Sequence, residues 1–319
     1  MLKTDNLECL RIFCLVAQYA SVKKASQMLA MEPSNIFRLM RQLDADAGCA
    51  LFEEGIRPLT LTKRGLIFYE RTKKLLSEHA QTLDLLKEDP ESEEGLIRIA
   101  SSAGSRRFVI TPALVEYQNM RPGISVELHD LAAGSTDFFS LEQGTVNDIV
   151  ISFDTHSVPA GVIREVLADI PFVACASRSY LALNGEPESP AQCARHKGLL
   201  LRIPGRTSVT FLSNGSSYEQ LKWKSTTSYN SQLDAQEAAI LGGGICPDMD
   251  LPYFASYYQQ GLLVPVMRGW KCPTKPMCLF MTQYSAKKRR VRLFAEWFAA
   301  RYRNYLRESL AVCRDVLAK

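Results

Sequence analysis

Two groups of side chains in this sequence are of the types that recognise polar or charged partners. The first is Ser34, Asn35, Arg38, Arg41 and Gln42, on the polar side of a segment, Ser34 to Asp44, whose Ile36, Leu39, Met40 and Leu43 recur every three or four residues. A guanidinium can bond the acceptors of guanine and a carboxamide can pair with adenine. Arg38 and Asn35, near the start of such a helix, therefore have the chemistry to read base edges in a major groove. An ordinary amphipathic surface helix is the other reading of the same residues. The second group is rich in hydroxyls: Ser101-Ser102-Ala103-Gly104-Ser105 and Gly134-Ser135-Thr136, each after a strand-like run. Hydroxyls and free amides at a helix start suit a small anion. Serine and threonine also cap helices, so both roles stay open.

The elements around the first group form a recognisable unit. Ser21 is placed to cap a helix running to Ala30, with Val22, Ala25, Met28 and Leu29 on its inner face. Met31, Glu32 and Pro33 make the turn, since proline lacks the amide a continuing helix needs. After the second helix, Leu51-Phe52 leads into a turn-rich tip, Glu53 to Pro58, and Leu59 to Thr62 alternates like a short strand before Lys63-Arg64-Gly65. This is the outline of a winged helix-turn-helix, whose hairpin offers Arg57, Lys63 and Arg64 to phosphates. Leu66 to Lys87 then runs without glycine or proline, with Leu66, Tyr69, Leu76, Ala80 and Leu83 forming an apolar stripe. Pairing with the same helix of a second copy, or packing within its own chain, would cover that stripe. The acidic run Glu88 to Gly95, interrupted by Pro90, is expected to be a solvated hinge and marks the domain boundary.

From Leu96 onward strands alternate with helices: Leu96 to Ala100, a helix after Ser105, Ser125 to His129, a helix near Phe138, then Asp148 to Ile151. Such alternation predicts a largely parallel sheet covered by helices. Further strands are expected at Phe172 to Ala176, Gly198 to Arg202, Lys224 to Tyr229, Leu262 to Val266 and Cys278 to Thr282. Gly242-Gly243-Gly244 lacks the lysine of a phosphate loop and the strand-first setting of a dinucleotide fingerprint. Lys287 to Arg290 reads as a solvated start to an amphipathic helix that buries Val291, Phe294, Ala295, Trp297 and Phe298. Leu306, Leu310, Val312 and Leu317, beyond it, would cap the sheet or support a subunit contact.

Composition narrows the class. At 319 residues and 46% hydrophobic content the chain can build two sizeable cores, and a net charge of +4 permits nucleic-acid binding without demanding it. The apolar run Ile12 to Ala17 is too short to span a membrane and follows Arg11 rather than a leader-like pattern, so a cytoplasmic protein is expected. The 9 cysteines are scattered, with no Cys-x-x-Cys pair and no histidine at zinc spacing; most read as reduced, buried thiols. The 4 histidines stand outside any motif coupling a base to a nucleophile, so neither catalytic residues, nor a metal, nor a cofactor is expected.

The stretch from Leu7, LRIFCLVAQYASVKKASQMLAMEPSNIFRLMRQLDADAGCALFEEGIRPLTLTKRGLIFYE, resembles the LysR-type transcriptional regulators. The resemblance implies a DNA-binding domain at 1–65, a linker and dimerisation helix with acidic hinge at 66–94, and an effector-binding domain at 95–319. That last domain would be like the periplasmic binding proteins, with two α/β subdomains, about 95–168 plus 267–319 and 169–266, around a cleft. DNA contact is expected from Ser21, Lys23, Lys24, Pro33, Ser34, Asn35, Phe37, Arg38, Arg41, Arg57, Lys63 and Arg64. Here Glu32-Pro33 stand where a Ser-Gln pair is usual, and Phe37 stands for a small serine, able to pack on a thymine methyl. These departures bear on the target sequence rather than on the activity. For the cleft, the resemblance implies Ser101, Ser102, Ser135 and Thr136 on one wall and Arg206, Thr207, Asn230 and Ser231 on the other. Arg206 would pair with a carboxylate or stand as a solvated loop arginine.

The implied protein is a regulator whose binding to double-stranded operator DNA responds to a small-molecule effector, an organic anion or aromatic acid. Its further partners would be a second copy, in a dimer or tetramer, and RNA polymerase. A metabolite sensor acting through protein contacts and a cysteine-based redox sensor are the alternatives.

Overall fold

Asn6 starts the first helix by accepting hydrogen bonds from the amides of Glu8 (2.9 Å) and Cys9 (3.1 Å), satisfying two of the donors that every helix start leaves open. The computed structural model describes residues 2–53, 55, 58–87, 89–131, 147–154, 158, 161–203 and 206–314. They form two compact units that meet in sequence at Asp89 and Pro90.

The first unit contains α1 (Leu7–Tyr19), α2 (Val22–Leu29), α3 (Pro33–Ala47) and α4 (Lys63–Lys87). Phe13, with no exposed surface, is its centre: Phe52 lies 5.5 Å away and Phe68 5.2 Å away, both edge-on. Ile36, Met40 and Leu43 of α3 and Val22 and Ala25 of α2 bury as their spacing predicts. Met28, expected inside, is 54% exposed, because Ser26 takes the buried place one residue pair earlier. Pro33 is the first residue of α3 rather than part of the turn, a position where its missing amide costs nothing; left-handed Ala30 makes the bend.

The hairpin is minimal, a single antiparallel bridge between Phe52 and Leu61, with the Glu53 amide donating to the Thr60 carbonyl at 2.8 Å. Lys63 and Arg64 do not belong to it. The Thr62 hydroxyl accepts from the Gly65 amide at 2.9 Å and so begins α4 at Lys63, which carries both cations into the helix's first turn. Gly65 is required there, since an added Cβ would sit 1.9 Å from the Leu51 carbonyl oxygen.

The second unit opens with β1 (Gly95–Ser101), then α5 (Ala103–Ser105), a π-helical stretch Arg106–Ile110 and α6 (Thr111–Met120) in one helical run. Pro112 cannot donate to the carbonyl four residues back, and the ladder shifts so that the Thr111 amide reaches Arg106. β2 (Ile124–Asp130) and β3 (Ile149–Phe153) flank β1 in parallel, but β13 (Lys275–Thr282) and β4 (Val162–Ile170) complete the sheet antiparallel. The order is β2-β1-β3-β13-β4, so the sheet is mixed, not largely parallel. β4 is an edge strand buried only at Leu167 and Ile170 and interrupted by Arg164, Glu165 and Asp169, which hides it from a search for apolar alternation.

Beyond Pro171 the chain enters a second layer: β5 (Phe172–Ala176), α7 (Arg178–Asn184), β6 (Lys197–Ile203), β7 (Arg206–Thr207), β8 (Phe211–Ser213), β9 (Tyr218–Gln220), β10 (Ser225–Tyr229), α8 (Gln232–Ile240), β11 (Cys246–Asp250), α9 (Leu251–Gln259) and β12 (Val264–Pro265). Its sheets are β10-β6-β7, β11-β5-β12 and the hairpin β8-β9. The turn from α8 to β11 needs glycine at 244, where φ is 154° and a Cβ would fall 2.5 Å from the Lys197 carbonyl oxygen.

The helix α10 (Arg289–Val312) closes the core with Val291, Phe294, Ala295 and Phe298, as expected. The basic run before it is not a solvated start. Lys288 is buried and its Nζ lies 3.1 Å from the equally buried Asp148, while Arg290, 2% exposed, donates from Nε to the Leu96 carbonyl at 2.9 Å. Nor is the acidic hinge wholly free: Glu93 pairs with Arg121 and with Arg289. At the far end Leu306 and Cys313 are buried in the same core, with Leu310 and Val312 packed against it, so this segment caps the fold; Leu317 lies outside the described residues, as does the helix expected near Phe138.

Candidate functional site

The described polar candidates of the first unit are all at least partly accessible to solvent. Burial of Ile36, Met40 and Leu43 fixes the rotation of α3, and Ser34, Asn35, Phe37, Arg38 and Arg41 are all exposed as a result. Phe37 is 55% exposed, a cost for an aromatic ring unless something covers it. Arg38 reaches back to Asn35 with Nη2 3.4 Å from Oδ1, a long and solvated contact that a stronger acceptor could displace. Ser21 caps α2 through the Lys24 amide (3.3 Å), and Lys23 and Lys24 are exposed beside it. Pro33, Lys63 and Arg64 are likewise exposed, each at or near a helix start. Arg57 lies outside the described residues.

The cleft candidates fare unevenly. Ser101 has no accessible surface and its hydroxyl donates to the Ser102 carbonyl at 3.3 Å, so here it is a core residue at the strand end rather than part of a wall. Ser102 is half-buried and caps α5: its Oγ accepts from the Ser105 amide at 3.4 Å and lies 3.1 Å from the Ser105 hydroxyl. Ser231 caps α8 through the Asp234 amide at 3.3 Å, beside exposed Asn230. Thr207 is exposed on β7, next to Arg206, whose backbone pairs with Ile203. Ser135 and Thr136 lie outside the described residues, and so does the side chain of Arg206.

These capped corners come together across the two layers. A Cβ on Gly104 of α5 would meet Gln232 Oε1 of α8 and a ring carbon of Tyr253, each at 3.3 Å. The Tyr253 hydroxyl lies 3.1 Å from Ser105 Oγ, and its ring stacks on Phe108 at 4.6 Å. Gln232 donates to the buried carboxylate of Asp250, and buried Gln236 accepts from the Tyr257 hydroxyl at 3.4 Å. Gln232, Tyr253 and Asp250 are thus neighbours of the expected wall residues that the sequence does not single out, beside Ser105 of the hydroxyl-rich corner. Only Asp250 carried a local signal, an acid between a strand and the Leu251-Pro252 helix start.

Three of the buried thiols, Cys175, Cys193 and Cys278, are poor candidates for chemistry. Cys175 and Cys246 face each other across β5 and β11, a pairing invisible in a sequence that separates them widely. Burial, together with its neighbour Cys246, pushes the Cys175 thiol well up; burial also pushes Cys193 up to about 12 and Cys278 up to about 11. The thiolate is the reactive form, and these groups keep their protons. Among the described residues no group of three or more His, Cys, Asp or Glu side chains could hold a metal, and no helix is long and apolar enough to cross a membrane.

A unit of four helices and a hairpin with an exposed polar side on α3, followed in sequence by an α/β unit, is the architecture of a DNA-binding transcriptional regulator with an effector-binding domain. The chain belongs to the LysR family: residues 7–66 match the bacterial regulatory helix-turn-helix protein, lysR family, and residues 90–303 match the LysR substrate binding domain. It is similar to the uncharacterized HTH-type transcriptional regulator YhjC of Escherichia coli K12, 28% identical over 95% of this chain and 99% of YhjC. The full-length Vibrio cholerae virulence activator AphB shares the fold, with a TM-score of 0.58 at 21% identity, covering 92% of this chain and 98% of AphB. LysG of Corynebacterium glutamicum, solved with a bound effector Arg, aligns with a TM-score of 0.51 at 17% identity over 93% and 98% of the two chains. The family is one of transcriptional regulators and not of enzymes.

Proposed function

We propose that two copies of this chain engage a roughly palindromic operator through α3 and that a small organic anion or aromatic acid, held between the two layers beside Ser102, changes that engagement. The observation that carries the reading is the outer surface of α3, where Ser34, Asn35, Phe37, Arg38 and Arg41 stand exposed while the opposite side is buried. Asn35 and Arg38 read bases; Ser21, Lys23, Lys24, Pro33, Ser34, Arg41, Lys63 and Arg64 set the register on phosphates, together with Arg57 from the hairpin tip. Phe37 packs on a thymine methyl.

For the ligand, Ser102, Thr207, Asn230 and Ser231 supply hydroxyls, an amide and helix starts, with Ser135, Thr136 and Arg206 completing the walls. That LysG holds an arginine supports a charged metabolite in this fold. The exposed Leu66, Ile67, Leu75, Leu83 and Leu86 of α4 supply an apolar surface for pairing with a second copy. Half-sites then fall about 34 Å apart or a multiple of it. A tetramer, contact with RNA polymerase and a cytoplasmic setting belong to the same reading.

Footprinting of the DNA beside the coding sequence, with and without candidate metabolites, tests it. A dyad-like protected site that shifts with one metabolite is the expected result, and Ser102→Val should weaken the response to that metabolite while sparing ligand-free DNA binding. Absence of any sequence-selective protection would overturn the DNA reading, and an unchanged effector affinity would remove Ser102 from the cleft.

A further inference from the structure

A cavity of about 480 Å³ opens on the second layer between the β8–β9 turn and the residues following β12. Its volume is in the range of small-molecule sites. It is lined by the turn Asn214-Gly215-Ser216 and by Arg268, Trp270 and Lys271, none of which belongs to the corners beside Ser102 and Ser231. The lining carries two charges, both positive. Both cations are exposed, and among the described residues neither forms an ion pair or a side-chain hydrogen bond.

The cavity walls are held in place. Ser213 and Lys271 exchange both backbone hydrogen bonds, at 3.0 and 2.7 Å, which ties the hairpin to the cationic loop. Asn214 Oδ1 accepts from the amides of Ser216 (3.1 Å) and Ser217 (2.8 Å), fixing the turn from within. On the other side, Met267 is buried with φ at 53°, a left-handed conformation that costs a non-glycine residue energy and that its surroundings enforce. Trp270 is half-buried against the cluster that contains Phe172, Leu212 and Met267 and also lines the cavity.

We propose that this cavity is a second ligand site, outside the cleft between the layers, that takes a planar aromatic carboxylate. The guanidinium of Arg268 accommodates a carboxylate bidentately, and Lys271 adds a point charge from the same rim. The indole of Trp270 offers a flat apolar surface to the ring. The amide nitrogen of Asn214 provides the polar edge, the Ser216 hydroxyl already donating to Asn214 Oδ1 at 3.0 Å.

Calorimetric titration of the full chain with 2-naphthoate, cyclohexanecarboxylate and inorganic phosphate tests the site. Naphthoate should bind more tightly than the other two. That binding should persist in Ser102→Val, which separates it from the cleft, and weaken by about tenfold or more in Arg268→Gln/Lys271→Gln, the effect of losing charge-assisted hydrogen bonds. Both cations are exposed, so the melting of the double variant should match that of the parent chain. No saturable binding of naphthoate at millimolar concentration, equal affinity in the double variant, or equal affinity for phosphate would each overturn the proposal.

Discussion

The polar side chains of α3 and those of the second unit's interior meet opposite fates. Asn35, Arg38 and Arg41 stand in solvent with at most one long contact between them, whereas Asp148, Lys288, Arg290 and Gln232 are paired within the chain. An exposed, loosely partnered group loses little when it exchanges water for a phosphate or a base. A buried and paired one is costly to disturb, because its partner is left without compensation. On the proposed reading, recognition by α3 therefore needs no internal rearrangement, while a ligand beside Ser102 would have to compete with the caps already formed there.

Three measurements would break or sharpen this contrast. The largest effect is expected at Lys288, whose replacement by alanine strands the buried carboxylate of Asp148. Chemical denaturation should register a loss of about 3–5 kcal/mol, against almost nothing for neighbouring exposed Lys287→Ala. Equal, small losses at both positions would mean that Lys288 is solvated after all. Next, Arg38→Ala should leave unfolding unchanged but cost about 1–3 kcal/mol of discrimination between operator and mutated operator in a binding titration. If it weakened all sequences alike, Arg38 would be a phosphate contact.

The smallest effect concerns His196, a buried ring 3.3 Å from the Tyr180 hydroxyl, whose pKa is lowered first by burial and then by the charge of Arg195. The unfolded chain takes up this proton near 6.5 and the folded chain only at lower pH. The contribution of His196 to stability is therefore flat above 6.5, declines as pH falls from there to the folded pKa, and is flat again below it. Denaturation midpoints across that window should fall less steeply in His196→Gln, and parallel slopes would remove the histidine from the acid sensitivity.

How much of this was legible from residues alone follows from the range of the interactions involved. The helices of the first unit and most strands of the second announce themselves through periodicity, a cap at Ser21 and a proline at 33, all of which act within a few residues. Lys288 and Asp148 are 140 positions apart, so four consecutive cations looked like a solvated run. Thr62 alternates like a strand residue, which extends the apparent hairpin to Lys63 and Arg64, although a threonine before a helical run is equally a cap. In the site, the caps at Ser102 and Ser231 were foreseeable. Tyr253 and Gln232 were not, because only the fold brings α8 and α9 against α5.

Gly65 has a mechanical consequence. With no room for a side chain beside the Leu51 carbonyl and its amide held by Thr62, Gly65 ties the hairpin closely to the start of α4. A twist applied along that helix would be transmitted to the hairpin like torque through a keyed shaft, instead of being lost in a flexible joint.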